Sequence, residues 1–227
     1  MRKLIAPLLG AICVIGAIGC AGSDSPFVDA HNPRVRFLNA TSLPTSTTVY
    51  SDDEKIANEL AFGAISNEAI LTNGNHMIDV RNSSTNTTLK KTEATFELDE
   101  WYTLIAYTGN DGLTKLVNTR DNKEQTEGKM EVRVVRATDQ YGDVDVYIYP
   151  TGDPLPSTPT FELGQTGQST PQIALDLNKS YTLRIFRDGE TTGGFSNENV
   201  FANSMRNIVF YFTRNAAGND TLLEFNE

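Results

Sequence analysis

Residues equipped for covalent or metal chemistry are few in this chain. It has two histidines and two cysteines. Cys13 and Cys20 fall in or beside an apolar N-terminal run, and His31 lies in a Pro-punctuated stretch, so His76 is the histidine within a strand-like segment. Nucleophilic catalysis needs a base beside Ser, Thr or Cys, and no Gly-x-Ser-x-Gly elbow occurs; no catalytic residue is assigned. Zinc is not expected with one such histidine and no thiol pair. Carboxylates are plentiful, 29 in all. Asp139, Asp143 and Asp145 cluster ahead of a strand and are weak calcium candidates, since calcium takes six to eight oxygens. Against them, the spacing is not that of an EF-hand, and alternation turns Asp145 away from the face of Val144 and Val146. Aspartates in turns are also ordinarily turn formers. No metal and no cofactor is therefore expected. Tyr141, Tyr147 and Tyr149 form an aromatic group, readable as an interaction surface for a glycan or protein or as core packing. Nothing selects a glycosidase-type pair among the acids.

The charge balance narrows the partners. The net charge is −10. Loss of Arg2 and Lys3 with a leader peptide leaves 17 basic against 29 acidic residues. Such a chain repels phosphate backbones, and nucleic acid is not an expected partner. After that basic start, Leu4 to Gly19 carries no charge and is shorter than the ~20 residues of a spanning helix. It has the form of a signal peptide. Its end, Ala17-Ile18-Gly19-Cys20, resembles the bacterial lipobox. The resemblance implies cleavage after Gly19 and a diacylglyceryl thioether on Cys20, hence a lipid-anchored envelope protein. With Ala21 after that cysteine, the outer membrane is favoured in a Gram-negative organism. Cys13 would leave with the leader, so Cys20 would have no disulfide partner.

The elements that must carry any site are strands. Short apolar runs rich in β-branched and aromatic residues alternate with Asn, Gly, Asp, Ser and Thr clusters. Asn73-Gly74 predicts a two-residue hairpin turn between Ile70-Leu71 and Met77-Ile78. Asn110-Asp111-Gly112 and Arg187-Asp188-Gly189 predict further turns, and Asp52 to Glu59 a loop. The pattern repeats. Val35-Arg36 falls on Val132-Arg133 and Val49-Tyr50 on Val146-Tyr147, both at an offset of 97. Phe62-Gly63 aligns with Leu163-Gly164 at 101, and His76, Ile78 and Val80 with Tyr181, Leu183 and Ile185 at 105. Phe96 aligns with Phe201 and Ile105 with Phe210, also at 105, then Leu113 with Leu222 at 109. The organisation expected is a signal peptide (1–19), lipidated Cys and tether (20–33), repeat 1 (34–118), a polar linker (119–129) and repeat 2 (130–227). Each repeat is expected to hold six or seven strands and to fold alone, giving an all-β chain of two tandem immunoglobulin-like or transthyretin-like sandwiches.

The repeat starts resemble those of domain-of-unknown-function family 4397. Val132-Arg133-Val134-Val135, Ala137 and Val144-Asp145-Val146-Tyr147 match its opening pattern. So do Val35-Arg36, Ala40, Val49-Tyr50 and the Ala61-Phe62-Gly63 step. The family's histidine is Asn39 in one copy and Arg136 in the other, and its Ser-Pro-Asp-Ala-Pro loop is replaced at 41–45 and 138–142. The resemblance implies export and no established activity. The function expected is a non-enzymatic envelope lipoprotein, a protein- or glycan-interaction or structural module. The alternatives are a carboxylate-based carbohydrate-active hydrolase and an accessory subunit of an envelope assembly.

Overall fold

The computed structural model describes residues 31–43 and 46–226, without the side chains of 196–198. The expected signal peptide and Cys20 lie outside the described residues. Among these residues no helix is long and apolar enough to cross a membrane.

The first copy contains β1 (Arg34–Ala40), β2 (Thr47–Ser51), β3 (Glu54–Leu60), β4 (Ala69–Ile70), β5 (Gly74–Asn82), β6 (Thr88–Phe96), β7 (Trp101–Thr108) and β8 (Thr114–Arg120). The second contains β9 (Lys129–Arg136), β10 (Val144–Pro150), β11 (Phe161–Leu163), β12 (Ile173–Asp176), β13 (Lys179–Arg187), β14 (Phe195–Ala202), β15 (Asn207–Arg214) and β16 (Asp220–Asn226). Each copy is a two-sheet sandwich of the same topology. The sheets run β4-β1-β7-β8 and β3-β2-β5-β6 in the first, β12-β9-β15-β16 and β11-β10-β13-β14 in the second. The contacts β1–β7 and β9–β15 are parallel.

Four sheets make three apolar layers. Val35, Phe37, Val49, Ile78, Val80, Phe96 and Leu104 fill the first sandwich, and Val132, Val134, Val144, Val146, Leu183, Ile185 and Phe210 the second. The third layer lies between the copies: Leu38, Ala40, Ile105 and Tyr107 meet Val135, Ala137, Val209 and Tyr211. The inner sheets are thus buried on both faces, which explains why β7 and β15 read as nearly unbroken apolar runs.

This interface is pseudo-two-fold. The Arg36 guanidinium donates to the Asn226 carbonyl (2.9 Å) and its equivalent, Arg133, to the Arg120 carbonyl (2.6 Å). Arg120 and Asn226 occupy equivalent places, opposite Tyr102 and Ile208. Gly63 (φ 76°) and Gly167 (φ 86°) are equivalent too: their amides donate to Asn39 and Arg136 carbonyls. A Cβ at Gly63 would stand 3.3 Å from Leu223, and one at Gly167 3.1 Å from Val117. Both positions need glycine, for a left-handed backbone and for close approach of the other copy.

Several sequence expectations are corrected. The segment Asp52 to Glu59 is not a loop: Asp52 and Asp53 form a positive-φ turn into edge strand β3. The strand was hidden because its one fully buried residue, Ala57, gives no alternation. Asn73-Gly74 does not close a hairpin, since β4 pairs with β1 while β5 pairs with β2 and β6; the chain crosses between sheets there. Among the described residues each copy has eight strands, and the edges β4, β11 and β12 are too short to show a period. The repeat alignment slips twice. Leu163 and Gly167 answer Leu60 and Gly63, so Phe62-Gly63 does not fall on Leu163-Gly164, because the loop after the third strand is longer in the second copy. A second slip follows β13. Tyr181 pairs with Val200 but Leu183 with Asn197, so a bulge adds one residue to β14. Phe96 therefore corresponds to buried Ala202, and Phe201 is 49% exposed. Ile105 corresponds to Tyr211, and Leu116 to Leu222. A one-residue slip moves every side chain to the other face.

The segment expected as a polar linker is bound on both sides. Asp121 accepts from Arg36 (3.1 Å), Arg133 (3.2 Å) and the Thr103 hydroxyl (3.0 Å). The next residue, Asn122, bonds Gln172 and Asn207 of the second copy.

Candidate ligand-binding sites

The residues singled out from the sequence are not brought to one place. Tyr147 and Tyr149 are 3% and 7% exposed and pack with Phe186 under Leu155 on the outer face of β10 and β13. They offer almost no surface; the loop 151–160, which a two-residue turn replaces in the first copy, covers them. The three aspartates point to three different partners. Asp139 accepts from Asn110 N–H (2.9 Å) and Lys115 (2.7 Å) of the first copy. The Asp143 carboxylate lies beside Gly164, and buried Asp145 accepts from Gly189 N–H (3.2 Å). Among the described residues no three His, Cys, Asp or Glu side chains converge to hold a metal.

His76 does gather a serine and an aspartate, in the wrong arrangement for nucleophilic catalysis. Nδ1 faces both Asp52 (2.6 Å) and Ser51 Oγ (3.0 Å), while Nε2 faces the Thr72 carbonyl (2.8 Å). A triad needs the hydroxyl and the carboxylate on opposite ring nitrogens. Here both crowd one nitrogen, and Ser51 is buried. The cluster ties the β2–β3 turn to β5.

Asn39 and Arg136, at the position of the family histidine, are both buried and play matching parts. Asn39 donates to the Leu60 carbonyl (2.8 Å) and Arg136 to that of Leu163 (3.2 Å). Arg136 also bonds the Thr138 and Tyr141 carbonyls. Each side chain pins the loop after the first strand of its copy to the end of the third.

Tyr141 lines a cleft of about 200 Å³ at the end of the second sandwich, with Arg187, Glu190, Gly193, Gly194, Phe195 and Asp220 around it. Its hydroxyl donates to both Asp220 oxygens (2.8 and 2.6 Å). Burial, then the Asp220 carboxylate, pushes the phenol upward, so it stays a donor. The ring stacks on Phe212, and its centroid lies 4.5 Å from the Arg187 guanidinium carbon.

Sequence inspection passed over a second site. A groove of about 590 Å³ runs along Glu100, Trp101, Arg120, Asn122, Lys123 and Glu124. Half-buried Trp101 is the chain's single tryptophan, and Lys123 Nζ stands 6.0 Å from its ring centroid. Glu100 and Arg120 are paired beside it. One wall is the linker held by Asp121 and Asn122, so the groove is preformed. Its signal in the sequence was weak: a lone tryptophan and a charged run, 19 residues apart.

The sequence matches the family described as "Domain of unknown function (DUF4397)" over residues 33–147, the first copy and the first two strands of the second. The chain belongs to the DUF4397 family. No curated protein matches it. Among solved structures, this DUF4397 chain is similar to the family 26 carbohydrate-binding module CBMbc from Eubacterium rectale Amy13K, in complex with maltoheptaose (10% identity, TM-score 0.28, 84% of this chain and 95% of that one). It is also similar to a streptococcal virulence factor in a structure of alpha-glucan binding (10%, 0.28, 79% and 93%). A third likeness is to family 41 carbohydrate-binding modules from streptococcal virulence factors (9%, 0.27, 78% and 93%). Likenesses this remote carry no argument about ligands.

Proposed function

We propose that this DUF4397 protein is a non-enzymatic, lipid-anchored envelope module that binds a glycan in the Trp101 groove. The observation that carries the proposal is the half-buried indole lining the groove together with both cationic donors (Arg120, Lys123) and carboxylate acceptors (Glu100, Glu124). A pyranose presents an apolar C–H face and hydroxyls that both donate and accept, so it needs both kinds of wall. The carboxylates on the rim and the net charge of −10 disfavour a nucleic-acid strand. The envelope location rests on Ala17-Ile18-Gly19-Cys20, and Ala21 favours the outer membrane in a Gram-negative organism.

The test uses Trp101 as its own probe, because no other tryptophan emits. Titration with neutral soluble oligosaccharides is expected to give a saturable change in emission for at least one of them. Trp101→Ala is expected to abolish retention in affinity electrophoresis through the matching polysaccharide. No saturable response across the panel, or undiminished retention of Trp101→Ala, would overturn the proposal.

One observation favours a carboxylate-based hydrolase: Glu190 and Asp220 line the same cleft. Against it, both Asp220 oxygens are engaged by the Tyr141 hydroxyl. Turnover of a glycoside that Asp220→Asn abolishes would establish the hydrolase.

A further inference from the structure

The Tyr141 cleft lies on the second copy, outside the groove assigned to glycan, and its chemistry differs. Phe212 stacks on Tyr141 and the Arg187 guanidinium lies over its ring, so that ring is already engaged and is a poor platform for a sugar. Of its apolar lining residues Val144, Ile185 and Phe212 are almost wholly buried and Phe195 is partly exposed, and the polar ones carry both signs of charge. Arg187 has no carboxylate within salt-bridge distance among the described residues, although Glu190 and Asp220 line the same cleft. Two carboxylates disfavour a simple anion, and a guanidinium disfavours a simple cation. The volume, about 200 Å³, equals roughly six or seven waters at ~30 Å³ each.

Glycine allows the close strand approach beside the cleft. A Cβ at Gly194 would stand 2.1 Å from the Ile185 carbonyl oxygen, so β14 can start this close to β13 only with glycine there. The first copy lacks the set. Asn82 occupies the place of Arg187, opposite Thr47 as Arg187 is opposite Val144. Thr114 occupies that of Asp220. The shared scaffold therefore does not itself require these charges.

We infer that this cleft binds a small zwitterion, a free α-amino acid with an apolar side chain. Arg187 pairs with its carboxylate, Glu190 with its ammonium, and the side chain lies against partly exposed Phe195. The charge-assisted pairs supply orientation, and Phe195 supplies the apolar contact.

The experiment is a thermal-shift and calorimetric titration of the full chain with free amino acids, their N-acetyl derivatives and their amides. A saturable rise in Tm is expected for one or more apolar amino acids. Removing either charge, by acetylation or amidation, is expected to weaken binding roughly tenfold or more. Arg187→Met and Glu190→Gln, both at exposed positions, are expected to do the same while melting normally without ligand. Trp101→Ala should leave this binding unchanged, so failure of the glycan proposal and failure of this one are separable. The inference is overturned by the lack of any saturable shift, by equal binding of the capped derivatives, or by binding that survives both substitutions.

Discussion

Replacing Asp121 by asparagine keeps shape and removes one charge from the most enclosed ionic group among the described residues. The Asp121 side chain is 1% exposed, that of Arg133 5% and that of Arg36 10%. The variant leaves two buried guanidinium groups facing a neutral amide. Removing one partner from a buried pair typically costs about 3–5 kcal/mol, because the remaining charge is left uncompensated. For a folded unit of 150–250 residues each kcal/mol moves Tm by about 2–4 °C. The expected loss is therefore roughly 6–20 °C at neutral pH, read by differential scanning calorimetry. The wild type should melt in one transition, since the third apolar layer and the Arg36–Asp121–Arg133 group join the copies. Glu68→Gln, which breaks the exposed pair with Arg34 (3.3 Å), serves as the control and should cost at most about 1 kcal/mol. A fall of less than ~2 °C for Asp121→Asn, or two resolved transitions in the wild type, would refute the view that this group binds the copies into one unit.

Other expectations follow from single positions. Gly167→Ala should destabilise by about 1–3 kcal/mol, through positive-φ strain and the 3.1 Å approach to Val117, and should exceed Gly63→Ala in a paired melt. Lys129 and then Lys179 lower Asp176 to about 2. Its folded value is depressed, so its contribution is complete above the unfolded carboxylate value near 4 and fades as pH falls toward 2. The Tm gap between wild type and Asp176→Asn should accordingly close across that window and stay constant above it. Calcium against chelator at fixed ionic strength should give no saturable Tm rise, because Asp139, Asp143 and Asp145 serve different partners. Mass spectrometry of the mature N-terminus should show lipid on Cys20 and none in Cys20→Ser; an unmodified wild-type peptide would sink the anchor.

The fold class was legible because alternation survives wherever a strand has one dry face, as at Val144, Val146 and Ile148. The repeat was legible from Val35-Arg36 and Val132-Arg133, but not what those arginines do, since their shared partner Asp121 looks like any other charge in a polar stretch. The bulge in β14 defeated the alignment because an inserted backbone residue leaves no compositional trace. Tyr141 reaches a cleft that Tyr147 and Tyr149 do not. Two positions apart on one strand, those two share a face, and what covers it is Phe186 of β13 and Leu155 of the loop that follows the strand. Trp101 escaped notice for the complementary reason: its groove is completed by residues whose positions depend on Asp121 and Asn122.

The self-complementary face between the copies has a consequence for how chemistry can arise on this scaffold. In a dimer of identical chains, any substitution appears on both sides of the axis, and a site can be gained only in duplicate. Joining the halves through one peptide link removes that constraint. Trp101 can floor a groove while its counterpart Asn207 grips the linker, and Arg187 can rim a cleft while its counterpart Asn82 shapes a tight turn. One half is thus free to specialise without altering the other, although the packing between them still follows the symmetry.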